Sequence, residues 1–329
     1  MFKNLSTVSL ILLSCATLTS CKLLSGSTDS EQKAENKNVK TSDPVESAEV
    51  SEFKNLKIKC DLGSLSACFD LGLKYYHGKG TQKDYNKSLE IYRNICATGD
   101  GGSCHNVGHQ YENGEGVVKD IKTAIDYYDK ACNLEYSPSC YRNFYFEYIG
   151  NNNQYTTEGI KYLEKGCKLN NAESCGELGV AYSLGQKKPN HKKALEYSEK
   201  GCSLNDGMSC YNLGVIYQNA RGVKKDFRIA NQYYEKAISL NYADAFNNLG
   251  YNYEYGNGVE KNYFTAADYY GKGCTLKDGT ACTNLANFHL NGKGLPLDYR
   301  QAKLFAKKGC ELGEQRGCDI YRVLVQNGY

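Results

Sequence analysis

Sulfur is the chemistry this sequence offers most. Fourteen of its 16 cysteines fall in pairs eight positions apart: Cys60/Cys68, Cys96/Cys104, Cys132/Cys140, Cys167/Cys175, Cys202/Cys210, Cys274/Cys282 and Cys310/Cys318. Paired thiols either oxidise to disulfides or ligate a soft metal. Zinc sites use shorter ligand spacings and a third and fourth ligand, yet each pair here stands alone and the five histidines do not follow it. The pairs are therefore expected to be disulfides between neighbours, with no metal and no cofactor. Other reactive groupings are sparse. Ser-x-x-Lys occurs at Ser30–Lys33 and Ser51–Lys54, without the Ser-Asp-Asn and Lys-Thr-Gly strings that accompany it in serine β-lactamases. His105 and His109 are four apart and could share a helix face, but they read as surface histidines. No catalytic residue is identified.

The elements that position the sulfurs recur with them. First cysteines of successive pairs lie 36, 36, 35, 35, 72 and 36 residues apart, and midway through the double interval stand Ile238 and Phe246, again eight apart. A period of this length is the mark of a solenoid of stacked units. Each unit reads as two helices. The first carries a small residue four after the second cysteine: Gly72, Gly108, Gly179, Gly214, Gly250 or Ala286. Glycine costs about 1 kcal/mol inside a helix, so its recurrence in phase predicts a close approach there. A Gly-x-Gly turn follows, as at Gly78/Gly80 and Gly256/Gly258, suited to ending a helix in the left-handed region. The second helix opens on a capping side chain: Asp84, Asp120, Asn190, Asp226, Asn262 or Asp298. Small residues stand four after the cap, and Tyr92, Tyr128, Tyr234 and Tyr270 four further on. Each cysteine pair then joins the end of one unit to the start of the next, with Ile238 and Phe246 taking the place of one bond. Residues 141–158 and 183–190 depart from the turn pattern, and residues 315–329 supply a terminal capping helix.

Ahead of the repeats, residues 1–20 hold Lys3 and an uncharged apolar run from Val8 to Leu18, too short to span a bilayer. The run ends in Leu18-Thr19-Ser20-Cys21, which resembles the bacterial lipobox. That resemblance implies removal of residues 1–20 and a lipid-modified Cys21, attaching the chain to a membrane without crossing it. Lys22 stands where an Asp would retain some lipoproteins at the inner membrane, so the outer membrane or its periplasmic face is expected, with secretion as the alternative. Residues 21–52 lack any apolar period and read as a disordered tether, with the solenoid at 53–329. The net charge of +3 is too small and scattered for a nucleic-acid footprint.

The string Leu249–Leu276, with LGxxYxxGxGVxK followed by AxxYYxKGCxL, resembles the Sel1-like repeat. The added Cys-x7-Cys register is similar to the Helicobacter cysteine-rich protein family. The resemblance covers residues 53–329 and implies an all-α, right-handed superhelical solenoid of disulfide-stapled αα-hairpins. It also implies a secreted or envelope location and two functions: a scaffold for protein partners, or a protein that binds or weakly hydrolyses β-lactams. For the scaffold, the expected surface is the concave one. Two residues after each second cysteine comes a polar side chain, including Asn106, Asn212, Asn248 and Asn284. Such a row could hydrogen-bond an extended peptide, and it would serve equally well as a solvated surface. The expected partners are thus a protein or peptide, a membrane through the lipid anchor, and a β-lactam as the alternative, but no nucleic acid.

Overall fold

The computed structural model describes residues 47–184 and 189–329. Cys21, the apolar run before it and Ser30–Lys33 lie outside these residues. Sixteen helices form among the described residues, and no strand. A half-unit, α1 (Ala48–Asp61), comes first. Seven helix pairs follow: α2 (Leu65–His77) with α3 (Tyr85–Ala97), α4 (Gly101–Asn113) with α5 (Ile121–Asn133), α6 (Ser137–Gly150) with α7 (Thr157–Lys168), and α8 (Ala172–Leu184) with α9 (His191–Ser203). The remaining pairs are α10 (Gly207–Gln218) with α11 (Phe227–Ser239), α12 (Asp244–Tyr255) with α13 (Tyr263–Thr275), and α14 (Gly279–Asn291) with α15 (Tyr299–Glu311). A terminal helix, α16 (Gln315–Gln326), closes the series. Helix α1 begins inside the segment expected to be a tether, because the Ser47 side chain accepts from the Val50 amide and caps it.

Local signals set the helix ends. Gly78, Gly114, Gly256 and Gly292 end first helices with positive φ, and the Asp or Asn caps at 84, 120, 190, 226, 262 and 298 accept backbone amides at the start of second helices. The second glycine of the turn has another task. A Cβ on Gly258 would lie 2.6 Å from the Phe227 carbonyl carbon, and one on Gly294 would lie 2.5 Å from that of Tyr263. Each of these turns sits directly on the start of the preceding unit's second helix, backbone against backbone.

Within a unit, a tyrosine ring occupies the notch left by the first-helix glycine. Tyr92, Tyr128, Tyr234 and Tyr270 are buried to 1% exposure or less. Cβ atoms on Gly72, Gly108, Gly214 and Gly250 would fall 2.4–3.0 Å from their rings. One unit achieves the fit with a smaller group, pairing Gly179 with Ser198, and in the last unit the same two positions hold Ala286 and Ala306, both fully buried. The aberrant unit at 141–158 reverses the arrangement. Phe144 fills the space from the first helix, Leu163 replaces the tyrosine on the second, and both are fully buried in one cluster. Bulk lost from one helix is supplied by the other, which keeps the core filled.

All seven expected disulfides are present, each joining the end of a second helix to the start of the next first helix. The α1 half-unit shares the scheme through Cys60–Cys68 and α16 through Cys310–Cys318. The seven staples differ in burial. Cys104, Cys140, Cys175, Cys210 and Cys282 are wholly buried and belong to the core, whereas both cysteines of the first and last pairs are only partly buried. These five are second cysteines in the interior of the stack, covered by a unit on either side, while the outermost pairs have a neighbour on one side alone. The Sγ atoms of Cys104, Cys140, Cys175 and Cys210 lie 3.6–3.9 Å from the carbonyl oxygens of Cys96, Cys132, Cys167 and Cys202, the first members of their own pairs. An oxidised sulfur carries no hydrogen, so these are packing contacts and the four residues offer no thiol donor or surface ligand. At the junction without a disulfide, Ile238 and Phe246 are only partly buried, packing beside the Tyr234 cluster and the Tyr269 ring.

Three substitutions test this packing. Gly258→Ala should lower stability by about 1–3 kcal/mol, through both its positive φ and the contact with Phe227. Gly271→Ala, in open space within α13, should raise it by up to about 1 kcal/mol. Denaturant midpoints report both. Replacing Ile238 and Phe246 together by cysteine should add an eighth disulfide worth about 2–3 kcal/mol, detected as a protein without free thiols in the folded units.

Candidate binding cleft on the inner face

First helices of successive units touch one another, as α8 touches α10 and α14 touches α16, whereas second helices do not meet to this extent. The first helices therefore line the inside of the stack. Along this face, between α12, α14 and α16, lies a cleft of about 410 Å³. One wall is a stripe of amides on α14, Asn284, Asn287 and Asn291, spaced three and four apart. The facing wall is Asn247, Tyr251 and Tyr255 of α12. The two tyrosine rings are 4.5 Å apart and half-exposed. Arg316 stands at one end and Lys293 at the other.

The floor is a charge network. Glu254 accepts from the Tyr270 hydroxyl at 2.9 Å and from Lys293 Nζ at 3.2 Å. Burial, reinforced by Glu254, pushes the Tyr270 phenol far up, so it stays a donor at all relevant pH. Hydrogen bonding to Glu254 likewise raises Lys293 and keeps it cationic. The motif repeats: Tyr128 donates to Glu112 at 2.7 Å and Tyr234 to Gln218 at 3.2 Å. The buried tyrosine thus links the core of each such unit to its inner face. Along the junction edge, Glu177, Asp206, Asp244 and Asp278 are pushed up chiefly by burial, and no ion pair forms at any of them among the described residues. Asp206 and Asp278 cap their helices and Glu177 accepts from Tyr155, which accounts for their positions.

Of the four asparagines singled out from spacing, Asn284 lines the cleft and donates to Asn247 at 2.9 Å. Asn248 donates to the Tyr211 hydroxyl at 3.4 Å, the Asn212 amide nitrogen is buried without a partner, and Asn106 is half-buried. They form no continuous row. The cleft residues that spacing missed, Asn287, Asn291, Tyr251 and Tyr255, continue the faces begun by Asn284 and Asn247 at helical intervals. Following those faces down each helix would have found them.

The two histidines part company. His105 Nδ1 is 2.8 Å from Ser139 Oγ, against the rings of Tyr128 and Tyr136, while His109 lies 3.4 Å from Glu115. Among the described residues no group of three or more His, Cys, Asp or Glu is placed to hold a metal. Ser51 and Lys54 project from the exposed face of α1, remote from the cleft.

The Sel1 repeat model matches residues 65–100, 102–136, 156–171, 172–206, 207–242, 243–278 and 279–314, more than half of the chain. The chain belongs to the Sel1 repeat family. The stretch left unmatched before 156 contains α6, where Phe144 has replaced the glycine. Among solved structures, this Sel1 repeat protein is similar to a protective antigen of uropathogenic Escherichia coli with an SLR fold, at TM-score 0.76 and 21% identity over 85% of this chain and 61% of that one. It is also similar to a Sel1 repeat protein from Oxalobacter formigenes, at TM-score 0.67 and 18% identity over 83% of this chain and 79% of that one. At such identities the likeness is one of fold. Helicobacter pylori cysteine rich protein B is 39% identical over 38% of this chain and 90% of its own, with TM-score 0.32. No curated protein matches the chain. The Sel1 fold typically mediates protein–protein interaction, and the seven disulfides point to an extracytoplasmic setting. Among the described residues no helix is long and apolar enough to cross a membrane.

Burial lowers the His105 pKa from 6.5 to about 4. Between those values the unfolded chain binds a proton that the folded chain refuses, so stability falls as pH drops from 6.5 toward 4. The loss should reach as much as about 3 kcal/mol, and it should vanish in His105→Asn. Because the raised carboxylates act in the opposite sense, the difference between wild type and variant denaturation midpoints across pH is the quantity to measure.

Proposed function

We propose that this Sel1 repeat protein is a cell-envelope scaffold that grips an extended segment of a protein partner along the inner face of its solenoid. The observation that carries this reading is the α12–α14–α16 cleft. Neutral amides, each both donor and acceptor, run down one helix opposite two half-exposed tyrosines. A peptide backbone offers the matching alternation of N–H and C=O groups, and exposed aromatic rings suit its side chains. The walls are preorganised, because Cys274–Cys282 and Cys310–Cys318 fix the junctions on either side of α14 and α15. Acylation of Cys21, read from the sequence motif, would hold the array at the membrane, with the polar stretch that begins at residue 22 as the spacer.

A photo-crosslinking amino acid placed in cells at Asn287 or Tyr251 should trap a discrete protein partner. The same group at Glu199, on the outward side of α9, should not. Equal capture at all three positions, or capture at Glu199 alone, would remove the inner face from the reading. After a wash at about 0.5 M salt, which strips charge-held peripheral contacts, Cys21→Ser should leave the membrane fraction while the wild-type chain stays, and an unchanged distribution would remove the lipid anchor.

A further inference from the structure

The repeat supplies its own control for what its outer face ordinarily carries. The residue before the second-helix cap is Lys83, Lys119, Lys225 and Lys261 in four units, but Leu297 in the last. Two residues after the cap stand Lys122, Lys192, Arg228 and Arg300, but Phe264 in the sixth unit. Six after the cap stand Glu90, Asp126, Glu196 and Asp268, but Leu304 in the last. Three polar positions have thus become large, apolar and exposed in the final two units, whereas Tyr155 and Tyr162, at the matching places around the Thr156 cap of α7, are half-buried and donate to Glu177 and Asp129. None is absorbed into the core: Phe264 is 71% exposed, Leu297 57% and Leu304 45%.

Two of the three are brought near one another, and the third stands further along α15. The turn holding Leu297 sits on the start of α13, since a Cβ on Gly294 would lie 2.7 Å from the Phe264 nitrogen. Leu304 follows Arg300 by one helical turn, and Arg300 holds in α15 the place that Phe264 holds in α13. Charge changes with them. Helix α15 carries Arg300, Lys303, Lys307 and Lys308 against Glu311 alone, while no other second helix of the seven pairs exceeds its acids by more than one basic residue. Lys307 pairs with Glu311 and Lys303 reaches the Tyr329 carbonyl. Arg300 and Lys308 have no acidic partner among the described residues and remain exposed.

We propose that this outer face of α13 and α15 docks on an anionic lipid surface. Apolar side chains set singly among cations on an outward helix face suit a fluid bilayer. They can enter the headgroup boundary while Arg300 and Lys308 meet lipid phosphates. The contact is independent of the inner-face reading and of acylation at Cys21. It would lay the last two units against the membrane.

The test uses the full chain with Cys21→Ser, so that no acyl chain contributes, in flotation with vesicles. One set contains phosphatidylglycerol in phosphatidylethanolamine and the other phosphatidylcholine alone. The triple variant Phe264→Asn, Leu297→Lys, Leu304→Asp restores residue types that other units carry at those positions, so it should fold, as circular dichroism will show. The Cys21→Ser chain should bind anionic vesicles and release them at about 0.5 M salt, with at least about tenfold weaker binding by the triple variant. Equal binding to both vesicle types, unchanged binding by the triple variant, or no binding at all would overturn the proposal. So would a dimer in sedimentation that the triple variant breaks without any vesicle binding, since the face would then join two copies of the chain.

Discussion

The contact between a second-helix tyrosine ring and a first-helix glycine governs how close the two helices of a unit come. Because the ring rests on bare backbone, the pair packs without a void and the tyrosine is buried almost whole. Its hydroxyl then has to find a partner, and in several units it finds one at the far end of the first helix, in Glu112, Gln218 or Glu254. Core packing thereby fixes polar groups on the inner face. The cleft floor at Glu254 follows from the same contact that builds the unit.

Between units the constraint is different. A disulfide at each of seven junctions, together with a turn glycine laid on the previous unit's backbone, sets the angle at which one unit follows another. These devices act at opposite edges of the stack, one at the junction turns and one at the turns within units. In the interior the sulfurs of Cys104, Cys140, Cys175 and Cys210 also fill core volume, so each bond is both a staple and a packing element. The junction without a disulfide, between α11 and α12, precedes the helices that form the cleft. The cleft therefore lies entirely within one stapled block, α12–α16, and its walls do not depend on that weaker joint. Compensation inside the array is local: the exchange of bulk between Phe144 and Leu163 is completed within a cluster that extends no further than the adjoining unit, as expected where each unit contacts only its neighbours.

Periodicity made most of the fold legible from residues alone. Cysteine spacing, turn glycines and caps each recur in phase, and a local interaction of short range suffices to explain each. The tether boundary was less legible, since the polar α1 has no buried residue and owes its start to a single serine cap. The binding surface was harder still. Asn106, Asn212, Asn248 and Asn284 occupy the same position of the repeat, yet the first three are half-buried or engaged elsewhere and only Asn284 opens onto a cleft.

The sequence by itself determined the period, the helix ends, the sulfur pairing and the identity of the packing residues, because all of these are set by neighbours within one repeat length. Tertiary structure alone decided which polar side chains reach open space and which disulfides are sealed from it. That depends on the residues a unit meets across the stack, as Asn284 meets Asn247 and Glu254 meets Lys293, some 40 positions away in the chain. It also decided that Phe264, Leu297 and Leu304 stay exposed instead of entering the core. Phe264 and Leu297 hold different positions within the repeat, and only the seating of one turn on the preceding helix brings those two near one another.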